Sequence, residues 1–76
     1  MDKEAERQRL NRELAQMFEE LGPILDKLRD ITAVAKAENW DMERFRAARA
    51  DLQAQKEAIG VRIQQHQGAL TALDAN

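Results

Sequence analysis

Between residues 10 and 35 the apolar side chains recur at alternating intervals of four and three residues. This spacing places them on one stripe of an α-helix, in the heptad arrangement of a helix that packs along another helix. Two further apolar residues, Phe18 and Leu25, fall at heptad position e and widen the stripe. A stripe of this width is typical of a helix that contacts more than one neighbour. The stripe has Leu14, Leu21, Leu28 and Ala35 at position a, and Leu10, Met17, Ile24 and Ile31 at position d.

The dipeptide Gly22-Pro23 interrupts this pattern, since a proline inside a helix removes a backbone hydrogen bond and clashes with the preceding turn. Two structures fit the dipeptide: two separate helices, or one helix with a kink. The apolar spacing continues without a change of phase from Leu21 to Leu28. An inserted loop would break that phase, so we expect one first helix, over about residues 3–38, kinked at Gly22-Pro23.

The residues that follow carry the signals of a helix end and a new helix start. Asn39 suits the left-handed backbone that follows a last helical turn. Asp41 is a good N-cap, because its carboxylate accepts hydrogen bonds from the free amides of the next turn. Trp40 before the cap and Phe45 after it have the spacing of a hydrophobic staple. We therefore expect a turn at about residues 39–41, which forms the tip of a hairpin.

The second helix, over about residues 42–73, keeps one heptad phase but has a polar middle. Arg49 and Lys56 occupy position a there, among alanines that let a neighbouring helix approach closely. So short a turn makes the two helices antiparallel, with facing residue numbers that sum to about 80. On this register Lys56 falls beside Ile24, where it could reach the carboxylate of Glu20 or the carbonyl that Pro23 leaves unpaired. Charge matching between the arms would instead pair Glu20 with Arg62. The full set is Met42, Arg49, Lys56, Ile63 and Leu70 at position a, and Phe45, Leu52, Ile59, His66 and Leu73 at position d.

The predicted fold is all-α: a single domain over residues 1–76 that forms an antiparallel two-helix hairpin. A lone hairpin would leave Phe18, Leu25, Ile31 and Val34 partly in water, at a cost of about 25 cal/mol per Å². Two hairpins packed face to face as a four-helix bundle would cover this surface, so we expect a homodimer. The expected dimer or partner interface consists of Leu14, Phe18, Leu21, Leu25, Leu28, Ile31, Phe45, Leu52, Ile59 and Ile63.

The amino-acid composition limits the classes of function that we expect. Charged residues make up 34% of the chain but nearly cancel, to a net charge of −2, whereas a generic nucleic-acid binder is basic. With no cysteine and one histidine, we expect no disulfide, metal or cofactor. No apolar run approaches the roughly 18–20 residues that cross a bilayer, and the N-terminus lacks the apolar segment of a secretory signal. We expect a cytoplasmic protein with no membrane partner, and no enzyme, since no catalytic motif occurs.

Three groups of residues are candidates for a more specific role. His66, at position d, is either a partly buried seam residue or a pH-sensitive element that meets its copy across a dimer axis. Trp40 is either the staple of the turn or an exposed anchor for a partner. Arg44, Arg46 and Arg49 either balance the acidic first helix or bind an acidic protein or phosphate groups.

Together these features predict a non-enzymatic interaction module. It would homodimerise and bind a larger, unidentified protein, which it would inhibit or regulate. Two alternatives stay open. One is a helical bundle that binds RNA or DNA through the face of Arg44, Arg46 and Arg49, and the other is a structural or assembly subunit of a larger particle.

Overall fold

The computed structural model of the protein describes residues 2–75, which form two long helices joined by a short turn. Helix α1 spans Lys3–Ala37 and helix α2 spans Met42–Ala75. The helices pack against each other as a rod of 56 × 16 × 14 Å, and residues 2–75 contain no strand. The all-α hairpin is confirmed. Over the same residues, neither helix has an apolar stretch long enough to cross a membrane.

Helix α1 begins at a side-chain cap and runs through its proline. The carboxylate of Asp2 accepts a hydrogen bond from the amide of Glu4 at 3.0 Å, and Glu6 adds negative charge in the first turn, where the helix dipole favours it. The helix is continuous across Gly22 and Pro23, so the alternative of two separate helices is wrong. Apolar packing on both sides of the proline keeps the helix together despite the lost backbone bond.

The turn between the helices is a Schellman motif followed by an N-cap. The amide of Trp40 donates to the carbonyl of Ala35 at 2.9 Å, and the amide of Asn39 donates to the next carbonyl along at 3.4 Å. Asn39 has a φ of 56°, the left-handed conformation expected from the sequence. Asp41 then caps α2, because its Oδ1 accepts from the amide of Arg44 at 2.7 Å. Both predicted signals of the turn are confirmed.

Polar contacts between the helices establish the antiparallel register. Arg7 Nη2 lies 2.6 Å from Asp74 Oδ1 near the open end of the hairpin. Midway along the rod, Arg62 Nη1 lies 3.8 Å from Glu20 Oε2. The numbers of each pair sum to about 80, as the short turn requires. The pair of Glu20 with Arg62 is the charge match expected between the two arms. Lys56 is exposed and forms no ion pair with Glu20.

The core is an apolar cluster at the middle of the rod. It forms where the d positions of α1 meet the two isoleucines of α2, and no polar residue among residues 2–75 is buried with them. The register therefore aligns apolar with apolar side chains as the heptad pattern predicts. The buried members are Met17, Ile59 and Ile63, and Leu14, Leu21 and Ile24 pack against them.

The burial of one core residue, Ile31, differs from what the sequence predicts. Ile31 was expected partly in water but is only 6% exposed. Its d position turns it toward α2, where it lies beside Leu52 and Ala48. At the other end of α1, Leu10 is buried in the same column, with 4% exposure. The d column thus extends the contact between the helices well beyond the central cluster.

Replacement of Asn39 should test the left-handed turn. Asn39→Ala should lower the free energy of unfolding by about 1 kcal/mol, because a Cβ without a compensating polar group strains this conformation. Asn39→Gly, which has no Cβ, should leave the stability equal or higher. Urea unfolding followed by circular dichroism measures both variants. Equal stabilities of the alanine and glycine variants would contradict the left-handed turn.

Candidate interaction surface

The line of contact between the two helices has two sides, which differ in how well side chains cover the apolar contact. On one side, which we call the closed flank, the g positions of the two helices face each other, and Glu20 and Arg62 bridge them. On the opposite side, the open flank, the e positions face each other. There the middle of the seam lies open, since Phe18 is 52% exposed and Leu25 is 42% exposed.

The open flank carries a continuous apolar stripe on α1. Because α1 turns its d positions toward α2, its a positions are only half-buried and its e positions are exposed. Positions a and e adjoin on a helix surface, so they form one stripe about 20 Å long. This apolar stripe consists of Leu14, Phe18, Leu21, Leu25 and Leu28.

The other five residues of the predicted interface belong to the hairpin itself. Ile31, Ile59 and Ile63 are buried between the helices. Phe45 and Leu52 are half-buried, closer to the tip. These five side chains hold α1 and α2 together. The predicted interface therefore consists of five residues that pack inside one hairpin and five that form the apolar stripe.

Beside the apolar stripe, α2 presents small and polar side chains. Gly60 lies at position e, across the open flank from Phe18 on the antiparallel register. A Cβ added at Gly60 would meet no atom within 4 Å, and the same holds at Gly22 on α1. Neither glycine is therefore required for close packing inside one hairpin, and both leave room next to the stripe.

Trp40 occupies the tip and contacts both flanks. The guanidinium carbon of Arg44 lies 4.2 Å from the centroid of the Trp40 ring, a cation–π arrangement. Trp40 and Phe45 line a common depression, as a hydrophobic staple would. The Nε1 atom of Trp40 is buried and has no hydrogen-bond partner among residues 2–75.

A second apolar surface lies on the closed flank near the tip. It is a groove of about 430 Å³, which we call the tip groove, and aspartates 26, 30 and 51 stand at its rim with Lys27. The heptad pattern does not predict this groove, although Val34 was expected to be partly exposed and is 38% exposed. The apolar lining of the tip groove is Ile31, Val34, Trp40, Ala48 and Leu52.

The three arginines of the predicted basic face do not form one patch. Arg44 stacks on Trp40 and is tied to the tip. Arg46 and Arg49 lie along a shallow groove of about 630 Å³ that Met42 and Phe45 also line. Both are exposed and neither forms an ion pair within residues 2–75. Of these three arginines, Arg46 and Arg49 therefore remain available, on the open flank.

His66 is half-buried and bridges the two helices. Its Nε2 lies 2.6 Å from Glu13 Oε2, and its Nδ1 lies 3.0 Å from the carbonyl oxygen of Arg62. The carboxylate and the carbonyl are both hydrogen-bond acceptors, so the imidazole is the donor in this arrangement. The other carboxylate oxygen of Glu13 accepts from Arg9 at 3.0 Å. His66 thus belongs to a hydrogen-bond network with Glu13 and Arg9 within one hairpin.

Glu13, the partner of His66 in this network, was not among the residues predicted from the sequence. The hydrogen bond from His66 lowers the pKa of the Glu13 carboxyl below its ordinary value, and the charges of Arg9 and His66 act in the same direction. Residue 66 faces residue 14 on the register, so the acid beside Leu14 was the signal that could have revealed this contact. Within residues 2–75 no cluster of three or more potential ligands is placed to hold a metal ion.

Glu13 gives the hairpin a pH-dependent contribution to stability. Its folded-state pKa is depressed, so the contribution is complete above the unfolded-state value of 4.5 and is lost as the pH falls through the lower folded-state value. Glu13→Gln should therefore lower Tm at pH 6, and the difference from the wild type should shrink as the pH falls below about 4. Thermal unfolding from pH 6 to pH 2.5 measures this.

A matched control for this measurement is Glu19→Gln. Glu19 is an exposed carboxylate on the same helix and has no ion pair within residues 2–75. Its replacement should change Tm little at either pH. A difference between Glu13→Gln and the wild type that stays constant down to pH 2.5 would contradict the assigned pKa direction.

Comparison of the chain with protein-family models, with curated proteins and with solved structures finds no match in any of the three.

Proposed function

We propose that this protein is a non-enzymatic interaction module that forms a homodimer through the open flank and binds a larger protein. The observation that carries the proposal is the apolar stripe, in which Phe18 is 52% exposed and Leu25 is 42% exposed. Large apolar side chains that recur on one helix face at heptad spacing are typical of a surface made for another helix. A cytoplasmic location is part of the proposal, in line with a chain that has no cysteine.

The small core supports self-association. Five apolar residues of residues 2–75 are buried, and each keeps between 2% and 8% of its surface exposed. A core of this size rarely supplies more than about 3–5 kcal/mol of net stability. Burial of the apolar stripes of two copies against each other would add apolar area to this core, and a four-helix bundle is the usual way in which two hairpins achieve it.

Binding to a larger protein would use the tip groove, which self-association through the open flank leaves free. Its apolar floor and acidic rim suit an apolar side chain flanked by basic residues. Trp40 contributes a large, rigid surface of the kind that dominates binding energy at protein interfaces. Inhibition or regulation of the larger protein would follow from occupation of its surface by this end of the bundle.

A pair of matched substitutions tests the homodimer. Phe18 and Val61 are both 52% exposed, but Val61 lies at position f, on the back of α2. We expect wild type and Val61→Asp to have twice the chain mass of 8.7 kDa in light scattering. Phe18→Asp should dissociate, since two buried phenylalanines at about 1.5–3 kcal/mol each correspond to a Kd weakened roughly 100-fold or more.

Two results of this experiment would refute the homodimer. One is a wild-type protein that stays monomeric at concentrations near 0.1 mM, which is roughly the upper range of a weak specific dimer. The other is a Phe18→Asp variant that dimerises as tightly as Val61→Asp. Circular dichroism of each variant shows that its helices are retained.

Nucleic-acid binding is a second candidate, favoured by the exposed and unpaired arginines Arg46 and Arg49. Arginine can bind phosphate in a bidentate manner, although the net charge of −2 opposes binding to a polyanion. If this candidate holds, a labelled single-stranded RNA should bind with an affinity that falls steeply with salt. Replacement of both arginines by alanine should reduce binding about tenfold or more.

The matched control for RNA binding is Arg12→Ala, which removes an exposed arginine from the outer face of α1. It should leave the affinity nearly unchanged. Absence of binding by the wild-type protein at about 0.1 M salt would exclude this candidate, because phosphate contacts are strongest at low ionic strength.

A further inference from the structure

The open flank is electrically polarised along the rod. Near the tip it carries Lys36, Arg46 and Arg49, all exposed, and none of the three forms an ion pair within residues 2–75. Two acids lie near these three cations: Glu43, and Glu57 at the far end of the groove that Arg46 and Arg49 line. This end of the flank therefore has an excess of positive charge.

The other end of the open flank is acidic. Glu4 and Asp74 are 61% and 64% exposed at their side chains. Both bind the same cation, since Arg7 lies 2.9 Å from Glu4 and 2.6 Å from Asp74. These two carboxylates and one guanidinium together carry a net charge of −1, about one rod length away from the cations at the tip.

We propose that two copies associate through their open flanks with their tips at opposite ends of the bundle. The two copies would be related by a twofold axis perpendicular to the rod, which passes near Leu21 and Gly60. This inference rests on the proposed homodimer and adds the orientation of its two chains. Each helix then packs antiparallel along its own copy, as twofold symmetry about such an axis requires.

The apolar stripe is complementary to itself in this arrangement. With the axis near Leu21, Phe18 of each copy lies opposite Leu25 of the other, and Leu14 lies opposite Leu28. The whole stripe is therefore covered by its own copy, with no apolar residue left at either end. On α2 the axis passes near Gly60, where the space left by the missing Cβ lets the two copies of this helix approach.

Charge selects this orientation over its alternative. The same axis places Lys36 opposite Glu4 of the other copy, and Arg46 opposite Asp74 of the other copy, so that each attraction occurs twice. If the tips lay at the same end, the basic ends would face each other and so would the acidic ends. Juxtaposed like charges at an interface disfavour an arrangement, and matched charges determine which register forms.

Spin labels at one position distinguish the two orientations. The chain has no cysteine, so Ala37→Cys introduces a single labelling site. Ala37 is the last residue of α1 and lies exposed, off the open flank. With tips at opposite ends, two labels should be about 50 Å apart, from a rise of 1.5 Å per residue on either side of the axis. With tips at the same end, they should be within about 25 Å. Double electron–electron resonance measures this distance.

A second label position separates failure of the orientation from failure of the homodimer. Glu19→Cys lies near the middle of the rod, so its labels should be within about 30 Å of each other in either orientation. A short distance from both label positions would overturn the proposed orientation while the homodimer stands. No dipolar coupling at residue 19, together with a monomeric mass, would overturn the homodimer and this inference with it.

Discussion

Burial of the d positions of α1 against Ile59 and Ile63 is the contact on which the rest of this structure depends. It sets the antiparallel register, and it rotates α1 so that its d column faces inward. The same rotation leaves the a positions half-buried and carries Phe18 and Leu25 outward. The contact that forms the hairpin therefore also creates the surface that a lone hairpin leaves uncovered. Two helices cannot enclose a stripe of this width, so the packing that stabilises the hairpin leaves part of the stripe exposed.

Charge plays a different part from apolar burial in this molecule. The cross-helix pairs of the closed flank, such as Glu20 with Arg62, are exposed and of the kind that contributes about 0.2–1 kcal/mol each. They add little to the fold but favour one register over its neighbours. The polarity of the open flank would act in the same way between two chains, with affinity from the apolar stripe and orientation from the charged ends. In the proposed dimer, apolar residues would therefore determine the affinity, and charged residues would determine the orientation of the two chains.

The tip lies apart from the apolar stripe, which is the surface proposed for self-association. Asn39 and Asp41 close the turn through backbone hydrogen bonds, so the tip does not depend on a partner for its shape. Trp40 rests on this rigid turn with Arg44 over its ring, and its face lines the tip groove on the closed flank. A dimer through the open flank, in the proposed orientation, would leave this groove accessible at each end of the bundle. One such dimer would present two equivalent sites for a larger partner.

The sequence by itself determined the helices, the turn, the continuity through Pro23 and the register, because heptad phase and capping chemistry are local properties of the chain. It could not decide which part of a wide apolar stripe faces inward. That depends on the rotation of α1 about its own axis, which only the packing of both helices determines, and so Ile31 proved buried. Tertiary structure likewise decided which side chains pair. Glu13 forms a hydrogen bond with His66, and Arg44 stacks on Trp40 instead of forming a basic patch with Arg46 and Arg49. A long charged side chain can reach several neighbours, and the periodicity of the sequence does not indicate which of them it contacts.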